Sequence, residues 1–220
     1  LGYLISNYIS YLISGHIDKY NNQETMDYVF HNSMNGILWL NSKFKDKPVG
    51  PRNLIKRNYF YTHIRPAAEH SMFFLGKRIL LFRNPRDWAV SRHDNMSNRA
   101  DIKYPGGKIN NYIDTLMTEY CESMLSLKAV FQTDKDILIS YEELSKDTSA
   151  TLRRVVNFLG LPIDERAIKY SLERSSSKTI MEQENQGMVI SSALENKSFV
   201  NNPTVGKWKS ILNTTDIKRI

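Results

Sequence analysis

The chain has 220 residues, of which 41% are hydrophobic and 24% are charged, so it lies in the size range of one domain with a sizeable core. A net charge of +7 favours an anionic partner, but the basic residues are interleaved with acids along the whole chain, which argues against a nucleic-acid-binding tail. The single cysteine, Cys121, excludes an internal disulfide and a CxxC metal or redox motif, and no apolar run is long enough to encode a membrane-spanning helix.

The first quarter of the chain is predicted to be helix followed by loop. Residues 1–14 form an apolar helical pattern that ends at Gly15. Because the chain opens without methionine and directly in this pattern, we expect it to be a processed or truncated form of a longer polypeptide. A polar stretch at residues 18–24 and a mixed segment at 26–40 follow, and residues 41–53 are rich in loop-forming residues.

Strands and helices then alternate. Three β-rich runs are predicted as strands, at residues 59–63, 78–82 and 136–140. Helical patterns occupy residues 85–95, 109–130, 149–159 and 165–172, and the periodicity is lost beyond about residue 175 until a short helix signal after Thr214. This alternation predicts an α/β fold of three layers, with a central parallel β-sheet flanked by helices, in a single domain that covers residues 1–220.

The sharpest local feature is the segment RILLFRNPRDWAVS at residues 78–91. It reads as a buried strand that ends at Phe82 and passes directly into a helix. Asn84 has the pattern of an N-cap, and Pro85 has that of a first helical residue. In α/β sheets, such a strand end and helix start border the crevice where phosphate groups bind.

Arg83 lies at the predicted edge of this crevice. Its planar guanidinium can hold a phosphate with two hydrogen bonds, and Ser91, two turns into the helix, can add a hydroxyl. The local pattern equally allows a structural interpretation, in which Arg83 pairs only with a carboxylate such as Asp87 and Ser91 is an ordinary helix residue.

The segment around Arg83 resembles the 3'-phosphate-binding segment of sulfotransferases that use 3'-phosphoadenosine 5'-phosphosulfate (PAPS). Three later segments, at plausible spacings, extend the resemblance over nearly the whole chain. Residues 139–162 (ISYEELSKDTSATLRRVVNFLGLP) are similar to the family's strand-loop-helix segment. Residues 174–184 (RSSSKTIMEQE) resemble a segment near the nucleotide, and residues 198–209 (SFVNNPTVGKWK) resemble the loop that closes over PAPS.

The resemblance implies a P-loop-like fold and the transfer of a sulfuryl group from PAPS to an acceptor hydroxyl or amine, with 3'-phosphoadenosine 5'-phosphate (PAP) as the product. It implies that His63, in the stretch YTHIRP, is the general base, a role that suits a near-neutral imidazole. By itself, His63 is also typical of a partly buried histidine at a strand end. The residues implied to bind the nucleotide are Arg83, Ser91, Tyr141, Ser175, Ser176, Lys178, Asn201, Asn202 and Gly206. No metal is predicted, because the other histidines lack metal-ligand spacing with Cys or carboxylates.

The chain departs from the family pattern in several places. The family usually opens with a strand and a lysine-serine-glycine-threonine loop for the 5'-phosphosulfate, and these 220 residues contain no such loop. Residues 1–13 have the character of the helix that follows the loop, so a polypeptide of these residues alone is expected to bind PAPS poorly. Further differences are Asn201, Asn202 and Pro203 in place of an arginine-lysine-glycine triplet, Tyr61 in place of a lysine, and Ser177 in place of an aromatic residue.

Two other functions stay open from the sequence. One is a non-catalytic nucleotide-binding or interaction protein of the same fold, which is favoured if the native chain truly lacks the phosphosulfate loop. The other is a basic nucleic-acid-binding domain, for which no groove-reading module is visible.

The partners and the compartment are only coarsely predicted. The acceptor is expected to be a small molecule or a glycan, and a homodimer is left open. One cysteine and no signal sequence favour the cytoplasm, or the Golgi lumen if an N-terminal anchor has been removed.

Overall fold

The strands that the structure describes form two separate parallel pairs. The structure, a computed structural model, describes residues 1–14, 30–32, 59–61, 77–97, 107–186 and 204–220. Strand β1 (Phe30–Asn32) pairs with β2 (Tyr59–Tyr61), and β3 (Arg78–Phe82) pairs with β4 (Asp136–Ser140). Parallel strands separated by helices confirm the predicted α/β class.

A helix follows each strand of the β3–β4 pair. Within the described ranges the α-helices are α1 (Gly2–Ser14), α2 (Pro85–Ser97), α3 (Ile113–Val130), α4 (Tyr141–Lys146), α5 (Thr148–Leu159), α6 (Glu165–Arg174), α7 (Ser177–Asn185) and α8 (Thr214–Lys218). Short 3-10 helices cover Ile109–Asn111 and Lys207–Ser210. No described helix combines the length and the apolar composition that crossing a membrane requires.

Several elements differ from those that the sequence predicts. The helix predicted at residues 109–130 is instead a 3-10 turn at Ile109–Asn111 followed by an α-helix that starts at Ile113, because Asn110 and Asn111 favour turns over a helix interior. Strand β1 and helices α4 and α7 were not predicted. The strands predicted at residues 78–82 and 136–140 are confirmed at both ends.

The larger apolar core lies between the β3–β4 pair and helices α1, α5 and α6. Leu152, Val155 and Val156 form the buried face of α5, as its periodicity predicts, and Ile139 of β4 packs with them. Helix α5 ends at Gly160, whose φ of 77° is the left-handed conformation that favours glycine at this position.

A second, smaller apolar cluster supports helix α2 from the other side. Ala89 and Val90 of α2 pack with Ile113 and Leu116 of α3, and Leu212 near the C-terminus completes the cluster. Helix α2 is therefore packed through buried residues near its start, where its first turn follows the end of β3.

Candidate functional site

Two predicted site residues follow the carboxyl ends of adjacent strands. Phe82 is paired with Ser140 at the end of the β3–β4 ladder, so Arg83 and Tyr141 both lie at one edge of the sheet. The guanidinium carbon of Arg83 lies 4.3 Å from the centroid of the Tyr141 ring, which is a cation–π contact. The structure thus brings together two residues that are 58 positions apart in the sequence.

The side chain of Arg83 is held, but only in part. One terminal nitrogen donates a 3.3 Å hydrogen bond to the backbone carbonyl of Thr204, whereas Nε is buried and has no hydrogen-bond partner among the described residues. The backbone carbonyl of Arg83 accepts a 2.8 Å hydrogen bond from the Tyr120 hydroxyl, which fixes the main chain. An arginine with a donor that lacks a partner among the described residues, at the carboxyl end of a sheet, is suited to binding an anion.

The start of α2 is capped as the sequence predicts. The Asn84 side chain accepts a 3.0 Å hydrogen bond from the Arg86 amide, and its carbonyl accepts a 2.8 Å bond from the Trp88 amide. The amide of Asn84 itself donates to Glu142 at 3.0 Å. Because Asn84 already occupies one of the first-turn amides, less of the helix terminus is free to bind an anion than the sequence suggests.

Asp87, the carboxylate named in the structural interpretation of Arg83, does not pair with that arginine. Its carboxylate is 2% exposed and accepts hydrogen bonds from the backbone amides of Gly206, at 2.7 Å, and Trp208, at 3.2 Å. The segment that donates these bonds, residues 204–210, is called the C-terminal loop below. Asp87 therefore joins the first turn of α2 to this loop.

Two further contacts hold the C-terminal loop against α2. Lys207 forms an ion pair with Asp94 at 2.5 Å, and the guanidinium of Arg86 lies 4.9 Å from the ring centroid of Trp208. Sequence reasoning missed this set of contacts. The partners are more than 110 residues apart, and no local pattern connects them.

Ser91 lies on α2, two turns beyond the helix start, and its side chain is exposed. Gly206 belongs to the C-terminal loop and has a φ of 84°, in the region that disfavours other residues. Ser91 therefore lies on the helix that follows Arg83 in the chain, and Gly206 lies in the loop whose Thr204 carbonyl accepts a hydrogen bond from Arg83.

Three other predicted site residues lie at the junction of α6 and α7. The Ser175 hydroxyl accepts a 2.9 Å hydrogen bond from the Asn7 side chain of α1. The Ser176 hydroxyl caps α7 by accepting from the Thr179 amide. Lys178 is exposed and lies 3.9 Å from Glu182 on the next turn. His63, Asn201 and Asn202 lie outside the described residues.

Comparisons with known proteins all indicate the same family. A family model described as the sulfotransferase domain matches residues 6–220. Rat sulfotransferase 2A6 is 25% identical over 188 residues, which cover 79% of this chain and 66% of that protein. Mouse sulfotransferase 2A1 is 24% identical over 187 residues, covering 79% of this chain and 65% of that protein. The match thus spans just under two thirds of the length of these relatives.

The fold has solved counterparts. The structure of mouse sulfotransferase SULT7A1 complexed with PAP has a TM-score of 0.66 and 18% identity, and the match covers 98% of this chain and 78% of that one. Retinol dehydratase in complex with androsterone and the inactive cofactor PAP has a TM-score of 0.68 and 14% identity, over 99% of this chain and 74% of that one. Both likenesses show a shared fold.

Proposed function

Because this chain belongs to the sulfotransferase family, we propose that it binds PAPS and transfers the sulfuryl group to a hydroxyl or amine of a small-molecule or glycan acceptor. The observation that carries the proposal is the state of Arg83, at the carboxyl edge of the parallel sheet. Its guanidinium stacks on Tyr141 and keeps a buried Nε without a partner among the described residues.

The residues at this edge fit the 3'-phosphate of a nucleotide. An arginine fork makes two charge-assisted hydrogen bonds to a phosphate, and these are stronger than bonds between neutral groups. The net charge of +7 attracts such a ligand from a distance. We assign Arg83 and Ser91 to the 3'-phosphate, and Tyr141, Ser175, Ser176, Lys178, Asn201, Asn202 and Gly206 to other contacts with the nucleotide.

The transfer requires a base and an in-line arrangement of acceptor and donor. In the proposed reaction, the acceptor oxygen or nitrogen forms a bond to sulfur while the bond from sulfur to the bridging phosphate oxygen breaks. The acceptor proton passes to His63, and the electron pair of the broken bond stays with the nucleotide, which leaves as PAP. Positioning and stabilisation of the leaving charge are the main tasks of the protein in such a transfer.

The acceptor is proposed only as a class. A small molecule is consistent with the relatives, since one neighbour in structure was solved with androsterone and its own name refers to retinol. Among the residues that the structure describes, no group of three or more histidine, cysteine, aspartate or glutamate side chains is placed to hold a metal ion.

The test is binding of PAP, measured by titration calorimetry on this chain and on Arg83→Ala. The loss of a charged hydrogen bond costs about 1.5–3 kcal/mol, so Arg83→Ala should weaken binding by at least about tenfold. Arg166→Ala is the matched control, because it removes the same charge from an 84% exposed side chain on α6.

A second arm of the same experiment measures the full-length gene product. We expect it to bind PAP and to transfer the sulfuryl group from PAPS in an acceptor screen. If the full-length gene product binds no PAP, the catalytic assignment is wrong. If it binds PAP but transfers the sulfuryl group to no acceptor of any class, the non-catalytic nucleotide-binding alternative replaces it.

A further inference from the structure

The Asp87 carboxylate lies where a helix carrying site residues meets a loop that contacts Arg83. It is 2% exposed and accepts two backbone hydrogen bonds from the C-terminal loop, at Gly206 and Trp208. Removing such donors from a buried carboxylate costs folding free energy. The loop amides and the carboxylate therefore stabilise each other.

The C-terminal loop in turn contacts Arg83. The carbonyl of Thr204, two residues before Gly206, accepts the 3.3 Å hydrogen bond from the Arg83 guanidinium. On another side the same guanidinium faces the ring of Tyr141 at 4.3 Å. The orientation of Arg83 therefore depends on where residue 204 lies, and residue 204 is only two positions from the anchor at Gly206.

The other contacts of the loop differ from that of Asp87. The ion pair between Lys207 and Asp94 joins side chains that are 27% and 34% exposed, so it is partly screened by solvent. The stacking of Arg86 on Trp208 involves side chains only and makes no hydrogen bond to the loop backbone. Of the loop–α2 contacts described above, the Asp87 carboxylate alone fixes the backbone of the loop.

We propose that Asp87 is a positioning residue that, by fixing the C-terminal loop, sets the Arg83 guanidinium in the geometry that recognises a 3'-phosphate. The inference rests on the proposed nucleotide function and deepens it. A buried acid carries the wrong charge to bind phosphate itself. In this proposal Asp87 nevertheless provides part of the selectivity for a 3'-phosphorylated nucleotide, because it acts through Arg83.

The experiment compares two nucleotides and one substitution. Asp87→Asn keeps the size of the side chain but replaces one acceptor oxygen with an NH2 donor, so one of the two loop amides loses its partner. Affinity is measured for PAP and for adenosine 5'-phosphate, which lacks the 3'-phosphate. We expect Asp87→Asn to weaken PAP by about tenfold, the effect of one hydrogen bond to a charged group, and to change adenosine 5'-phosphate by less than about twofold.

Hydrogen exchange gives a direct readout of the anchor. In the unsubstituted protein the amides of Gly206 and Trp208 should exchange slowly, and more slowly still when PAP is bound. In Asp87→Asn at least one of them should exchange faster. Asp94→Asn is the matched control, because it removes the Lys207 ion pair and leaves both amide bonds to Asp87 in place. We expect this control to keep both the exchange pattern and the preference for PAP.

The outcomes separate the inference from the proposed function. If the unsubstituted protein does not bind PAP, the proposed function fails and the inference fails with it. If PAP binds and Arg83→Ala weakens it, but Asp87→Asn keeps the preference for PAP, the inference alone is wrong. Equal weakening of both nucleotides by Asp87→Asn also overturns it, since that result indicates a structural role only. If Asp87→Asn does not fold, rapid exchange of both loop amides in the unsubstituted protein, with and without PAP, overturns the inference without any variant.

Discussion

Two arginines at opposite ends of strand β3 have opposite environments. Arg78, at the amino end, makes two hydrogen bonds to Asp136 on β4 and one to the carbonyl of Val130, and its side chain is 10% exposed. Arg83, at the carboxyl end, has one 3.3 Å hydrogen bond, a stacking contact and a buried Nε without a partner among the described residues. Arg83 lies only five positions after Arg78, yet it keeps one donor without a partner among the described residues.

The difference indicates how each end of the sheet is used. The Asp136 side chain is fully buried, and it also accepts from the amide of Gln132, so the Arg78 pair is closed on itself. Removing one partner of such a buried pair is destabilising, and the closed pair offers no donor to a ligand. Arg83 lies at the edge where parallel sheets bind ligands and keeps one donor without a partner among the described residues, so this arginine is the one suited to function.

The comparison predicts its largest effect at the closed end. Asp136→Ala should lower the free energy of unfolding by about 3–5 kcal/mol, because it leaves the Arg78 guanidinium buried without a counter-charge. Chemical denaturation with linear extrapolation measures this change. The double variant Arg78→Met, Asp136→Leu should recover most of the loss, since it leaves no unpaired charge.

Arg83→Met is the matched control for that measurement, because it removes the other arginine flanking the same strand. It should change the free energy of unfolding by no more than about 1 kcal/mol, the value of an exposed stacking contact. A loss of stability in Arg83→Met equal to that in Asp136→Ala would contradict the distinction between a closed and an open end.

A smaller effect is expected at Tyr141, whose role the resemblance and the structure describe differently. The resemblance implies a contact with the nucleotide, whereas the structure has the ring stacked on Arg83. If the ring supports Arg83, Tyr141→Leu should weaken PAP binding by about 0.5–2 kcal/mol and Tyr141→Phe should leave it unchanged. Calorimetry with PAP measures both, and an equal loss in Tyr141→Phe would mean that the hydroxyl itself contacts the nucleotide.

The strands and the longer helices could be predicted because their signals are local. Strands β3 and β4 are continuous apolar runs between polar residues, and α5 has one apolar face and a glycine stop. Strand β1 has only three residues and exists through its pairing with β2, so periodicity could not reveal it. Helices α4 and α7 are short, but Ser140 and Ser176 cap them, and these caps are the signals that could have found them.

The site was predictable to the extent that it follows the sheet. Arg83 and Tyr141 each come directly after a predicted strand, so parallel pairing is enough to bring them together. The bonds from Gly206 and Trp208 to Asp87 span about 120 positions and depend on how the C-terminal loop packs on α2. Asp87 in the first turn of a helix has the pattern of an ordinary helix-start acid. Its local sequence therefore offers no reason to expect its contacts with the C-terminal loop.

The smallest effect is expected at a third arginine, Arg219, whose ion pair lies at the surface. Its guanidinium donates to both carboxylate oxygens of Asp114, at 3.1 and 2.7 Å, and the Asp114 side chain is 77% exposed. The hydrogen bond from Arg219 lowers the pKa of Asp114 below its ordinary value. Because the folded-state pKa is the lower one, the pair stabilises the protein fully above the ordinary pKa of aspartate, about 4, and this contribution is lost as the pH falls through the lowered pKa.

An NMR titration of the Asp114 carboxyl tests this prediction. The midpoint should lie below the ordinary range in the unsubstituted protein and return to it in Arg219→Ala. At neutral pH, Asp114→Asn should shift the denaturation midpoint far less than Asp136→Ala, because solvent screens an exposed pair, and the shift should vanish in acid. A midpoint for Asp114 that does not move in Arg219→Ala would mean that Arg219 leaves this carboxylate unaffected in solution. The contrast between buried and exposed arginines would then be supported by Arg78 and Arg83 alone.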